Sequence, residues 1–154
     1  DRVMLQVPDR LPLTSSCPTL VLPFSFPPRT EIGRHVVVAW KNTREAGRAV
    51  RNAMPFLKAA ERVTVVTIDP PGHALDSGRD LMIWLERHGV RSQHQASIFQ
   101  GGDVGEIILD SHRSLGGDLL VMGSYGHSRL RELVLGGATR TVLSNLTTPV
   151  LMSH

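Results

Sequence analysis

The sequence predicts a doubly wound α/β domain, a parallel sheet with helices on both faces. Short, nearly continuous apolar runs recur at 35–40, 63–68 and 118–123, the pattern of strands buried on both faces. Stretches with helical apolar spacing separate them, so strand and helix alternate five times from residue 35 onward. Parallel strands need such crossovers, and the crossovers are right-handed. A chain of 154 residues makes one domain with a full-sized core.

Taken in order, "HVVVAW" at 35–40 is the first strand of this unit. Thr43 then opens a helix with Ala46, Val50, Ala53, Met54, Leu57 and Ala60 at helical spacing. Pro55 inside it predicts a kink or a cost of about 3 kcal/mol. "VTVVTI" at 63–68 is the second strand, and "DPPGH" is a turn. Residues 77–88 read as a helix with Leu81, Trp84 and Leu85 on one face. Gly89 stops it, and His88 is a cation at its C-terminal end, where the helix dipole favours one. Residues 90–99 form a weaker strand. Asp103 and Glu106 resemble a capping box for a helix that carries Ile107, Ile108 and Leu109 and ends around Gly116–Gly117. "DLLVMG" at 118–123 and "PVLMS" at 149–153 supply the remaining strands.

Residues 1–34 stand outside this alternation, as an N-terminal extension to a domain at 35–154. Within the extension, "SCPTLVL" at 16–22 is like "TTPVLMS" at 147–153, and upstream "LPLTS" is loosely like "VLSNL". Either this is a common way to begin a strand, or residues 1–22 are the tail of a preceding copy of the domain. In the second case "PFSFPPRTEIGR" is a linker, and residues 16–22 pair antiparallel with 148–152.

Lys and Arg number 17 against 14 Asp and Glu. The excess is small and scattered, unlike the stripe of a nucleic-acid binder, so no nucleic-acid partner is expected. No run of about 18 apolar residues offers a membrane span. The lone Cys17 allows no internal disulfide and fits a reducing cytoplasm. The first ten residues carry charges and a proline where a secretory leader needs an apolar core. The first residue is Asp rather than Met, which reads as a fragment.

The stretch "GSYGHSRLRELVLGG" at 123–137 follows a predicted strand, where ligands bind in such folds. Gly123 and Gly126 permit positive φ or the close approach of a ligand. A helix starting near Ser128–Arg131 would present unpaired N–H groups that attract anions. Gly136–Gly137 would leave its flank open. His127 lies in this loop, and Arg129 and Arg131 sit at a helix start, unfavourably unless they meet an anion. The Walker and G-x-G-x-x-G patterns are absent. A tight turn with close helix–sheet packing is the structural alternative to a phosphate cradle.

Gly123, Gly126 and Gly136, spaced Gly-x-x-Gly-x9-Gly, resemble the signature of the universal stress protein family. "HVVVAW", "GGDVGEII" and "TTPVLMS" resemble that family's first strand, third-helix start and last strand, so the likeness covers 35–154. It implies a five-stranded parallel sheet in the order 3-2-1-4-5, here with an extra N-terminal strand. It also implies a cytoplasmic, non-catalytic stress-response module, with ATP or another adenine nucleotide as ligand and magnesium only with the nucleotide. A homodimer through the last strand, 148–152, is the implied partner, with strand 16–22 pairing there. Tandem copies are common in bacterial members. The implied nucleotide site comprises Lys41, Ile68, Gly123, Gly126, His127, Ser128, Arg129, Gly136 and Gly137.

Two positions depart from the family pattern. Lys41-Asn42-Thr43 stands where ATP-binding members usually have Asp-Gly-Ser. A carboxylate there accepts hydrogen bonds from adenosine, whereas an ammonium only donates. Lys41 either attracts a phosphate or points into water. Gly137 stands where the family has Ser or Thr, whose hydroxyl donates toward phosphate, with Thr139 a displaced substitute. Weak or altered nucleotide binding follows. An interaction module without ligand, and a slow nucleotide hydrolase, are the alternatives. Ser124 and Ser128 flank His127, but G-x-S-x-G is missing and no acid orients the His. The seven histidines show no i,i+4 pair and no Cys partner, so no resident metal site is expected. Trp40 either stacks on a base or fills the core, and Met122 and Tyr125 read as packing residues.

Overall fold

The computed structural model describes residues 11–12, 14–28, 30–72, 77–124 and 137–154. Among these, six strands form one sheet: β1 (Thr19–Val21), β2 (His35–Trp40), β3 (Arg62–Asp69), β4 (Gln93–Ile98), β5 (Leu119–Gly123) and β6 (Val150–Ser153). The helices are α1 (Arg44–Asn52), α2 (Met54–Ala59), α3 (Arg79–Arg87), α4 (Val104–Leu115) and α5 (Gly137–Ser144). The strand order is β1-β6-β5-β2-β3-β4. β2 through β6 pair in parallel, and β1 runs antiparallel to β6. Read from β4, the parallel part has the order 3-2-1-4-5 that the family resemblance implies. The extra N-terminal strand makes the sheet six-stranded.

Side chains alternate across a sheet, and β2 shows why its sequence has no polar gap. Val36 and Val38 face one layer with Ala49, Val50, Leu57, Leu81 and Leu85 from α1, α2 and α3. Val37 faces the other layer with Ile108 and Leu109 of α4 and Val142 and Leu143 of α5. β5 and β6 divide likewise, with Val121 and Leu151 toward the first layer and Leu120 and Met152 toward the second. β4 is an edge strand whose residues are half-buried or exposed, which explains its weak apolar signal.

The helix expected from Thr43 to Ala60 is two helices. Thr43 caps α1, its hydroxyl accepting from the Ala46 N–H. The chain breaks at Ala53, and Pro55 sits in the first turn of α2, where its missing N–H costs nothing. The Pro55 penalty is thus avoided by restarting the helix. α4 begins at Asp103, whose carboxylate accepts from the Gly105 and Glu106 N–H groups. It ends at Gly116, with φ 67°, a left-handed cap that suits glycine. α3 ends at His88, whose Nδ1 lies 2.7 Å from the Trp84 carbonyl oxygen.

Candidate functional site

The chain leaves β2 outward to β3 and β4, then returns across the sheet to β5 and β6. The switch of direction falls between β2 and β5, where such folds open a crevice at the strand C-termini. Lys41 follows β2 there and is exposed, and Gly123 and Ser124 follow on β5. Ile68, near the end of neighbouring β3, is partly buried against the α4/α5 layer. Lys41, Ile68 and Gly123 therefore share one end of three adjacent strands. Gly126, His127, Ser128, Arg129 and Gly136, along with Tyr125, Arg131 and the expected helix start at 128–131, lie outside the described residues.

Gly123 has a packing reason. A Cβ there would meet the Ala46 nitrogen at 2.5 Å and the Glu45 carbonyl carbon at 2.7 Å, so the start of α1 lies directly on the β5 backbone. Its φ is not among the positive ones. The next residue is different. Ser124 is fully buried, and its Oγ has no hydrogen-bond partner among the described residues. Its backbone is held, the N–H donating to the Ser153 carbonyl and its own carbonyl lying 3.3 Å from His154 Nδ1. A buried hydroxyl left unpaired costs about 1–3 kcal/mol, so Ser124 calls for an explanation at the threshold of the glycine-rich loop.

Gly137 is the first residue of α5, exposed, with open space where a Cβ would stand. Thr139 is buried. Thr43, the third residue of the Lys41-Asn42-Thr43 loop, is committed to capping α1.

Sequence reasoning missed a buried carboxylate beside this crevice. Asp69 ends β3 and is 7% exposed. Its Oδ2 accepts from the Thr67 hydroxyl, which also lies 2.9 Å from His94 Nε2. The polar Thr67 and Asp69 alternating inside an apolar run were the available signal. Trp40 packs against the first layer, and its indole N–H donates to the Ser77 carbonyl. It also lines a groove of about 220 Å³ between α1 and α3. A larger cavity of about 480 Å³ lies at the opposite end of the sheet, around His35, Arg62 and Asp118. Asp118 there accepts from the N–H groups of Gly33, Arg34 and His35, which fixes the start of β2. Among the described residues no cluster of His, Cys, Asp or Glu is placed to hold a metal. No helix among them is long and apolar enough to cross a membrane.

The donors at the crevice suit an anionic nucleotide in part. Lys41 and the Ser124 hydroxyl both offer hydrogen-bond donors. The side-chain acceptor expected after β2 for adenosine is absent.

Comparison with known proteins agrees with the fold. The model of the universal stress protein family matches residues 33–154. Universal stress protein Slr1230 from Synechocystis is 37% identical over 67 residues, which span 44% of this chain and 22% of that protein. The structure of the hypothetical protein MJ0577 superposes with a TM-score of 0.68 at 19% identity, over 80% of this chain and 98% of that one. A universal stress protein from Archaeoglobus fulgidus gives 0.75 at 17% identity, over 99% of this chain and 55% of that one. A universal stress protein in complex with cAMP gives 0.64 at 22% identity, over 79% and 96%.

Proposed function

The chain belongs to the universal stress protein family, and from that premise we propose that its α/β unit is a non-catalytic, cytoplasmic stress-response module that binds an adenine nucleotide weakly. The observation that carries this reading is the buried, unpartnered hydroxyl of Ser124 at the switch point. A phosphate or ribose oxygen would satisfy it. Lys41 supplies a further donor toward phosphate, and Gly126, His127, Ser128, Arg129, Gly136 and Gly137 belong to the same stretch by sequence. One similar structure holds cAMP, which supports an adenine nucleotide as the ligand class. Magnesium would accompany the nucleotide without a protein site of its own.

The missing carboxylate after β2 is why the binding is weak. An adenosine donor left unpaired costs about 1–3 kcal/mol, roughly a 5- to 150-fold loss in affinity. A second reading, an interaction module without a ligand, is favoured by Gly123, whose lack of a side chain the α1 contact explains by itself. Thermal-shift measurements on the full chain with ATP, ADP, AMP and cAMP separate the two. A saturable rise in melting temperature supports the nucleotide reading, and no shift at millimolar ligand rejects it. Slow hydrolysis, if any is measured, belongs to this site only if Gly126→Val abolishes it.

A further inference from the structure

Trp40 and Trp84 are the chain's two tryptophans, and both line the groove of about 220 Å³ between α1 and α3. Val50 of α1 and Leu81 of α3, buried in the first layer, give the groove an apolar floor. Both indoles are held in place. The Trp40 N–H donates to the Ser77 carbonyl at 3.2 Å, and the Trp84 ring centroid lies 4.0 Å from that of the His88 imidazole. Each indole nonetheless keeps part of its surface open.

Gly47 belongs to the α1 side of this groove. It stands inside the helix, where glycine weakens helical structure relative to alanine. The protein supplies no packing reason for it, since a Cβ there would meet nothing within 4 Å. Gly105 and Gly123 differ in this respect, because a Cβ on them would strike neighbouring groups at 2.6 Å and 2.5 Å. The φ of Gly47 is not among the positive ones either. What glycine does at 47 is keep the groove open.

The rim carries opposite charges. Arg51, in the last turn of α1, and Asp80, in the first turn of α3, are both exposed. Neither has an ion-pair partner among the described residues. A guanidinium offers paired donors to a carboxylate, and a carboxylate accepts from an ammonium.

We propose that this groove binds a free aromatic α-amino acid, with its ring against the Trp40 and Trp84 indoles, its carboxylate on Arg51 and its ammonium at Asp80. Indoles take a further ring in offset or edge-to-face packing. The volume limits the size of the ligand. Pockets for drug-sized molecules measure about 300–1,000 Å³, and this smaller groove suits a single amino acid rather than a nucleotide. None of its lining residues belongs to the nucleotide site, so the proposal does not rest on nucleotide binding.

The test titrates the full chain with L-phenylalanine and reads tryptophan emission at an excitation that phenylalanine does not absorb. Both emitters line the groove, so the signal reports on the groove itself. The expected result is a saturable change at millimolar ligand or below. Gly47→Leu, whose side chain enters open space and favours the helix, should melt at or above the wild-type temperature and lose the response. Arg51→Gln should weaken phenylalanine binding roughly tenfold or more and leave phenethylamine, which lacks the carboxylate, unaffected. Asp80→Asn should weaken phenylalanine to a similar degree and leave 3-phenylpropanoate, which lacks the ammonium, unaffected. No saturable change in wild type, an equal response in folded Gly47→Leu, or an unaltered affinity in either rim variant overturns the proposal. L-Leucine binding as tightly as phenylalanine also overturns it, as does displacement of phenylalanine by AMP, which would make the groove a base subsite of the crevice. If Gly47→Leu lacks a cooperative melt, the two rim variants, both at exposed positions, decide the matter.

Discussion

Acidification from pH 7 to pH 5 should destabilise the protein through one buried histidine. His112 lies on α4 and is 4% exposed. Burial, helped by nearby His35 and opposed by Asp118, lowers its pKa from 6.5 to about 4. Its Nε2 is closely packed: a Cβ on Gly117 would stand 2.8 Å from it, and the Thr148 hydroxyl lies at 3.5 Å. The folded state thus holds His112 neutral at pH values where the unfolded chain protonates it. Stability from this group is complete above pH 6.5 and is lost as pH falls toward 4. The full effect is about 3 kcal/mol, of which about 2 kcal/mol falls between pH 7 and pH 5. His35, also lowered by burial and by Arg62, acts in the same sense. Glu45 and Asp103 have pKa values below the carboxylate norm, so their contribution is lost only below this window. Urea unfolding at the two pH values should show at least this loss in wild type, or roughly 4–8 °C in melting temperature. His112→Gln should lose about 2 kcal/mol less over the same interval. An equal loss in wild type and variant would refute the reasoning.

Gly123→Ala should destabilise the fold by about 3 kcal/mol, because the new methyl would meet backbone of α1 at 2.5 Å; a thermal melt near wild type would contradict that contact. Asp118→Ala strands the amides of Gly33, Arg34 and His35 and should cost about 2 kcal/mol, read by urea unfolding and by faster hydrogen exchange at those three amides. Asp103→Ala removes the α4 cap and the acceptor of the Thr141 hydroxyl and should cost about 1–2 kcal/mol, read by the same unfolding measurement.

The sheet was legible because β2, β3 and β5 are interior strands, covered on both faces, and so are written as unbroken apolar runs. β4 was fainter because one of its sides is an edge. Helix boundaries followed local chemistry that can be read, the Thr43 and Asp103 caps and the Gly116 stop. The break at Ala53 was only half legible: Pro55 announced a disturbance, but a restart needs the tertiary fold to accommodate it. The site was harder to read. A glycine in a motif does not say whether ligand or backbone is its neighbour, and at Gly123 the neighbour is α1. Asp69 and Ser124 became visible only once the fold had buried them, since burial of a polar side chain is a property of long-range packing.

The central claim is that this domain keeps a nucleotide site weakened by Lys41 and Gly137. Isothermal titration of the full chain with ATP, beside a Lys41→Asp/Gly137→Ser variant, tests it most directly. The account predicts one-to-one saturable binding in wild type and roughly tenfold or greater tightening in the variant, since a restored acceptor is worth about 1–3 kcal/mol. No heat from either chain at millimolar ATP, with both chains folded, would contradict it.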